Sequence, residues 1–250
     1  MDIMVSRLVS CLNGAMYNDA NYKIAKFIIE HYLDIENMSE EDFLAAGPFQ
    51  KLDLDRFVGS FGFENYEAFK LQFYQHYQIR LNQIRVRLFD ADPEVFMKKM
   101  EKVMTDDEMN ALVTDICRHF YEAKRIVIMG AYYPKSICVE LQSDMITFGR
   151  PCIQSKDIDP LTFCKDDVVI IISATGRALR NVRKKFKDMH IDQAYSILFT
   201  QNKSFRKLHD EENTEVVVLP GKFDSVEFNY QLMSICDLLR LKYFKQYYLM

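Results

Sequence analysis

Asp167-Val168-Val169-Ile170-Ile171-Ile172-Ser173-Ala174-Thr175-Gly176-Arg177 is the stretch from which the rest of the chain is read. An unbroken β-branched run of this kind fits a parallel strand covered on both faces, not one with a wet side. The turn after it is rich in hydroxyls and runs directly into a helical pattern. Such a turn aims backbone N–H groups and the positive end of a helix at one point, which suits a phosphate. Arg125-Ile126-Val127-Ile128-Met129-Gly130 has the same design in shorter form: a buried strand closed by a glycine turn.

Outward from these two strands, the second half of the chain alternates strand and helix. Strands are expected at 125–129, 152–154, 168–172, 194–199 and 215–219. Helices are expected at 136–148 and 177–189, with a polar helical stretch near 203–209 and a long last helix over 225–245. In that last helix Phe228, Leu232, Ile235 and Leu239 share one face. Strands separated by helices of this length imply right-handed crossovers, a parallel sheet and a three-layer α/β/α domain. An amphipathic helix carrying Met109, Leu112, Val113, Ile116 and Phe120 leads into its first strand.

Residues 1–78 read as short helices. Ile24, Phe27 and Ile28 mark a helix over Tyr22–His31, and Ser39 caps one whose first turn holds Glu40, Glu41 and Asp42. That helix closes at Gly47-Pro48. Leu54, Phe57, Val58 and Phe61 mark the next, ending at Gly62, and Asn65 caps another with Tyr66, Phe69, Phe73 and Tyr77 on its buried side. Two short helices joined by a glycine turn and flanked by others follow the helix-turn-helix plan. The expected division is a helix-turn-helix domain at 1–78, a partly helical linker at 79–105 and an α/β domain at 106–250.

The composition sets limits. A chain of 250 residues, 49% hydrophobic and 27% charged, belongs with globular proteins. Its net charge of −4 gives no global pull toward nucleic acid. The six cysteines (11, 117, 138, 152, 164 and 236) form no C-x-x-C pair, and Cys117, Cys138 and Cys236 fall on apolar faces of expected helices. They read as reduced core residues of a cytoplasmic protein, with no metal site implied. Position 2 is an acid and no long apolar run follows, so neither a signal peptide nor a membrane span is expected.

The order of these markers resembles the RpiR/MurR family of bacterial regulators, which join an N-terminal helix-turn-helix to a SIS (sugar isomerase) domain. The N-terminal markers are Ile24-Ala25-Lys26-Phe27-Ile28, Met38-Ser39, Ala45-Ala46-Gly47, Arg56-Phe57, Phe61-Gly62-Phe63 and Phe69-Lys70. The later ones are Gly130, Phe148-Gly149, Asp167-Val168-Val169-Ile170 and Ile172-Ser173-Ala174-Thr175-Gly176. The resemblance implies a homodimer or homotetramer that binds a phosphorylated sugar or amino sugar and a double-stranded DNA operator. The metabolite would act through its different affinity for two quaternary states. No cofactor is implied.

Against the family's Ser-x-Ser-Gly-x-Thr loop, this chain keeps Ser173, Thr175 and Gly176, has Ala178 at the last hydroxyl, and adds Arg177 and Arg180. The family's first loop, Gly-x-Gly-x-Ser, falls on Gly130-Ala131-Tyr132-Tyr133-Pro134, where only the first glycine remains. Tyr132 and Tyr133 either line a reshaped pocket or close it, and closing is the expectation. Ser136 reads as the cap of the following helix. The expected ligand set is Gly130, Tyr132, Ser173, Thr175, Gly176 and Arg177; the alternative is an ordinary strand-to-helix turn with a Ser/Thr cap.

The expected DNA contacts are Gln50, Lys51 and Arg56, in the stretch Gln50-Lys51-Leu52-Asp53-Leu54-Asp55-Arg56-Phe57. Asp53 stands where the family has a hydroxyl for a phosphate. Residues 1–80 hold seven Lys/Arg against twelve Asp/Glu, a difference of −5. Non-specific DNA affinity rests on cations replacing phosphate counterions, so the module is electrostatically poor for the task. A sugar-phosphate-responsive transcriptional regulator ranks first by architecture. The alternatives are a SIS-domain carbohydrate-derivative binder that has lost its operator and, behind it, a sugar-phosphate isomerase. Isomerisation needs a base beside C1 and C2. Glu140, Glu227 and His209 lie near strand ends, but none sits in a motif that singles it out. The N-terminal cysteine of the related aminotransferases is replaced by an acid, so no catalytic residue is assigned.

Overall fold

The computed structural model describes residues 3–130, 132–155, 161–177, 189–210 and 213–249. The chain divides into two compact units. The first joins the residues up to Arg87 with Gln142–Ile153, and the second joins Leu88–Leu141 with the residues from Gln154 onward.

In the first unit, α1 (Met4–Gly14), α2 (Ala20–Glu30), α3 (Glu40–Ala46), α4 (Lys51–Ser60) and α5 (Tyr66–Leu88) follow one another. Their core is aromatic. Phe27 meets Phe43 edge-on at 4.8 Å, Phe43 lies 5.1 Å from Tyr66, and Phe57 lies 4.6 Å from Phe61. The Ser39 cap forms with Asp42 as its reciprocal partner, and Ser39 holds the Asp42 carboxyl below its usual range through two hydrogen bonds. Asn65 accepts from the Ala68 amide at 2.9 Å. Asn65→Ala is expected to remove about 1 kcal/mol of stability in urea unfolding, and Asn65→Asp to keep most of it. Residues 79–88, expected from sequence to begin a connector, are the last turns of α5.

A further helix, α9 (Val139–Thr147), gives its residues from Gln142 to the first unit. Every residue from Gln142 to Phe148 is buried, and four of these are polar: Gln142, Ser143, Asp144 and Thr147. Burial at that density demands partners. Asp144 pairs with Arg80 of α5 at 2.6 Å, with side chains 0% and 5% exposed. Gln142 exchanges amide hydrogen bonds with Asn13 of α1 and also donates to the Cys152 carbonyl. The helix ends in the left-handed turn of Gly149, φ +76°, from which the Arg150 amide reaches back to the Met145 carbonyl.

The second unit opens with α6 (Pro93–Lys99) and α7 (Asp106–Glu122), then β1 (Arg125–Gly130) and α8 (Tyr132–Ile137). β3 (Asp167–Ile172), β4 (Tyr195–Thr200), β5 (Thr214–Val218) and α10 (Glu227–Tyr243) complete its order, and β2 (Cys152–Gln154) lies where the chain passes from the first unit to the second. The five strands form one sheet in the order β2-β1-β3-β4-β5. β1 with β3, β3 with β4, and β4 with β5 are parallel. All six residues of β3 are buried, as a strand covered on both faces requires. The fold is therefore helical in its first unit and parallel α/β in its second. The helix expected over 177–189 lies outside the described residues beyond Arg177.

Cys117, Cys138, Cys152 and Cys236 are buried and in no disulfide. Cys138 and Cys236 stand 3.7 Å apart, and the neighbouring thiol together with burial holds Cys236 well above the ordinary thiol range. No helix among the described residues is long and apolar enough to cross a membrane. No group of three or more His, Cys, Asp or Glu among them could hold a metal ion.

Candidate functional site

The strand order reverses between β1 and β3, because the chain goes from β1 outward to β2 and then returns to the other side. In open parallel sheets, ligands bind outside the carboxyl ends of the strands at such a switch point. Gly130 and Ile172, the last residues of β1 and β3, are register partners there. Gly130 has φ +145°, and a Cβ on it would lie 2.5 Å from the Ile172 carbonyl oxygen. Only glycine lets the two strand ends run this close.

The turn after β3 is tied down from several sides. The Ser173 amide donates to the Phe199 carbonyl, and the Gly176 amide donates back to the Ser173 carbonyl at 3.1 Å. The Gly176 N–H is thus spent on the turn, although the sequence suggests it for an anion. Ala174 O accepts from Thr200 Oγ1 and the Gln201 amide, and Thr175 O accepts from Asn202 Nδ2. Gly176 adopts φ +77°, with the Phe205 ring packed so closely that a Cβ would sit 1.9 Å from its Cε2. Phe205 lies in the 3-10 segment Lys203–Asp210 after β4; nothing in its sequence marks it as a neighbour of this turn.

Thr175 and Arg177 form the open side. Thr175 Oγ1 accepts from the Arg177 amide at 3.4 Å and from Arg177 Nε at 3.0 Å. A hydroxyl that accepts twice still has its own proton to give, and that proton has no acceptor among the described residues. Arg177 Nη2 donates to Asp224 Oδ2 at 2.8 Å, with side chains 71% and 50% exposed. The result is a hydroxyl proton beside a guanidinium on an exposed corner, above the buried Ser173. Ala178 and Arg180 lie outside the described residues.

The first loop differs from its expected form. Helix α8 begins at Tyr132, so Ser136 sits inside it and does not cap it. Pro134 is tolerated because it falls in the first turn, where no intrahelical donor is required. Lys135 Nζ donates to the Ser155 carbonyl, and Gln154 Nε2 donates to the Lys135 carbonyl, fastening α8 to the end of β2. Tyr133 is 65% exposed. The Tyr132 side chain lies outside the described residues, as does that of His209. Glu140 pairs with Arg240 at 3.3 Å, and Glu227 accepts from the Lys222 amide.

Of the three residues expected to meet DNA, Gln50 is the N-cap of α4, and its amide donates to Asp53 Oδ2 at 3.3 Å. Asp53 therefore caps its own helix, and the Gln50-x-x-Asp53 spacing is the signal for it. Lys51 is held by Glu40 and by Asp55 at 3.6 Å. Arg56 is exposed and makes no ion pair with Asp53 or Asp55.

No protein-family model and no curated protein matches the chain. Solved structures do. The Vibrio vulnificus NanR protein, complexed with ManNAc-6P, is 14% identical over 97% of this chain and 92% of its own, with a TM-score of 0.44. A hypothetical protein of Methanococcus jannaschii, for which a 3-hexulose-6-phosphate isomerase function has been inferred, is 18% identical over 62% of this chain and 86% of its own, with a TM-score of 0.44. An E. coli CFT073 protein, solved as a complex, is 15% identical over 71% of this chain and 92% of its own, with a TM-score of 0.41.

Proposed function

We propose that the chain binds a phosphorylated sugar or amino sugar at the carboxyl ends of β1 and β3, and that it does so as a sensor of the SIS type. The observation that carries this reading is the Thr175 hydroxyl beside the Arg177 guanidinium, 3.0 Å apart at the switch point of a parallel sheet. A phosphate takes both groups: the guanidinium as its charge partner and the hydroxyl proton as a second donor. Binding without turnover is part of the proposal, since Glu140 is engaged by Arg240 and Glu227 by a backbone amide.

Titration calorimetry against a panel of hexose, pentose and N-acetylhexosamine monophosphates tests it. At least one should bind while its unphosphorylated parent does not. Thr175→Val should weaken that binding about ten- to a hundredfold, the worth of a hydrogen bond to a charged group. A panel without any binder would end the reading.

A second reading, operator binding by the helix-turn-helix, is favoured by one observation: Arg56 on α4 is exposed and has no ion pair among the described residues. The ion pairs that hold Lys51 and the acid excess of residues 1–80 weigh against it. A gel shift with the fragment upstream of its own gene decides. Operator binding requires a shift that weakens steeply with salt.

A further inference from the structure

We propose that Asp224 is a built-in competitor for the candidate anion site: its carboxylate occupies the Arg177 guanidinium that a sugar phosphate would take, so the loop after β5 restrains the site until ligand displaces it. This rests on the sugar-phosphate reading and adds a regulation to the same site.

Arg177 has a fork of donors with two clients. Nε is turned to Thr175 Oγ1 at 3.0 Å, and Nη2 to Asp224 Oδ2 at 2.8 Å. The carboxylate is held up to Arg177 by its own loop. Asp224 adopts φ +55°, and its amide donates to Oε1 of buried Gln201 at 3.1 Å. Gln201 uses its Nε2 on the Pro220 carbonyl at 3.1 Å, so one side chain from the end of β4 fixes both sides of the loop. Asp and Asn are among the few residues that tolerate this left-handed geometry. The loop therefore presents a carboxylate in a pose set by backbone, on the residue that the turn after β3 offers to an anion.

The exchange is favourable for the right ligand. A phosphomonoester brings close to two charges and three acceptor oxygens where the carboxylate brings one charge. It can take Arg177 and the Thr175 proton together, which Asp224 does not. Displacement frees Asp224 from Arg177, while the Asp224 amide keeps its bond to Gln201. Both partners are well exposed, so the restraint is small: an ion pair of this kind is worth up to about a fivefold change in an equilibrium.

Asp224→Asn removes the charge while keeping the side-chain shape, the left-handed backbone and the amide bond to Gln201. Calorimetry of wild-type and Asp224→Asn protein with glucose 6-phosphate, any binder from the panel above, and inorganic phosphate should show binding about two- to fivefold tighter in the variant. Raising the salt should shrink that gain. Matching thermal melts without ligand would establish that the variant folds. If wild-type protein binds a sugar phosphate and Asp224→Asn binds it equally or more weakly, Asp224 orients Arg177 and does not compete with ligand; the inference falls and the site stands. If neither protein binds any member, both fall.

Discussion

Arg80→Met is expected to destabilise the first unit by about 3–5 kcal/mol, the largest effect of any single substitution considered for this chain. The reason is what it leaves behind. Asp144 is fully buried and faces Arg80 at 2.6 Å; without the guanidinium its charge has lost that ion-pair partner in a medium that solvates it poorly. Asp144→Leu should cost a similar amount by taking the carboxylate from buried Arg80. The double change Arg80→Met/Asp144→Leu should recover most of the loss, because replacing a buried pair with apolar groups of similar volume is close to neutral. Urea unfolding of the four proteins closes a double-mutant cycle. A single substitution costing under about 1 kcal/mol would mean that water reaches the pair, as at a surface bridge.

Gly130→Ala should act at the sheet and at the ligand corner together. The residue sits at φ +145°, a backbone state that costs a side-chain-bearing residue about 1–3 kcal/mol. Its new Cβ would stand 2.5 Å from the Ile172 carbonyl oxygen, which is backbone and cannot rotate away. The ends of β1 and β3 must part, moving the turn that carries Thr175 and Arg177. The expected result is a lower melting temperature, faster amide exchange at the last residues of β3, and sugar-phosphate affinity reduced at least as far as in Thr175→Val. Unchanged affinity in a folded variant would place the ligand elsewhere.

The strands are legible because β1, β3 and β5 are runs rich in β-branched residues and β4 is a short apolar run, and the five expected segments match the observed ones to within a residue. The caps at Ser39 and Asn65 are equally local. What the sequence hides depends on distant partners. Gln142 and Asp144 look like ordinary polar helix residues, since nothing near them in the chain points to Asn13 or Arg80. Arg177 looks free for ligand because Asp224 lies far along the chain and reaches it only through the turn after β5. Asp53 draws notice as an acid where the family has a phosphate-binding hydroxyl, whereas its partner is three residues away, at Gln50. At the candidate site the residue types are visible, but their mutual occupation is not. Gly176 spends its amide on the turn and Phe205 leans on it, and both facts belong to packing.

Gln142–Ile153 share a compact unit with the N-terminal helices, which has a consequence during synthesis as well as in the finished molecule. A nascent chain delivers α1 to α5 first, and Asn13 and Arg80 wait for Gln142 and Asp144 until the chain up to that segment has also left the ribosome. At translation speeds of about 5–20 residues per second, that wait is on the order of several seconds. Throughout it Arg80 lacks Asp144, and Asn13 lacks the Gln142 amide. Release from the ribosomal tunnel therefore sets the earliest moment at which this buried ion pair can form.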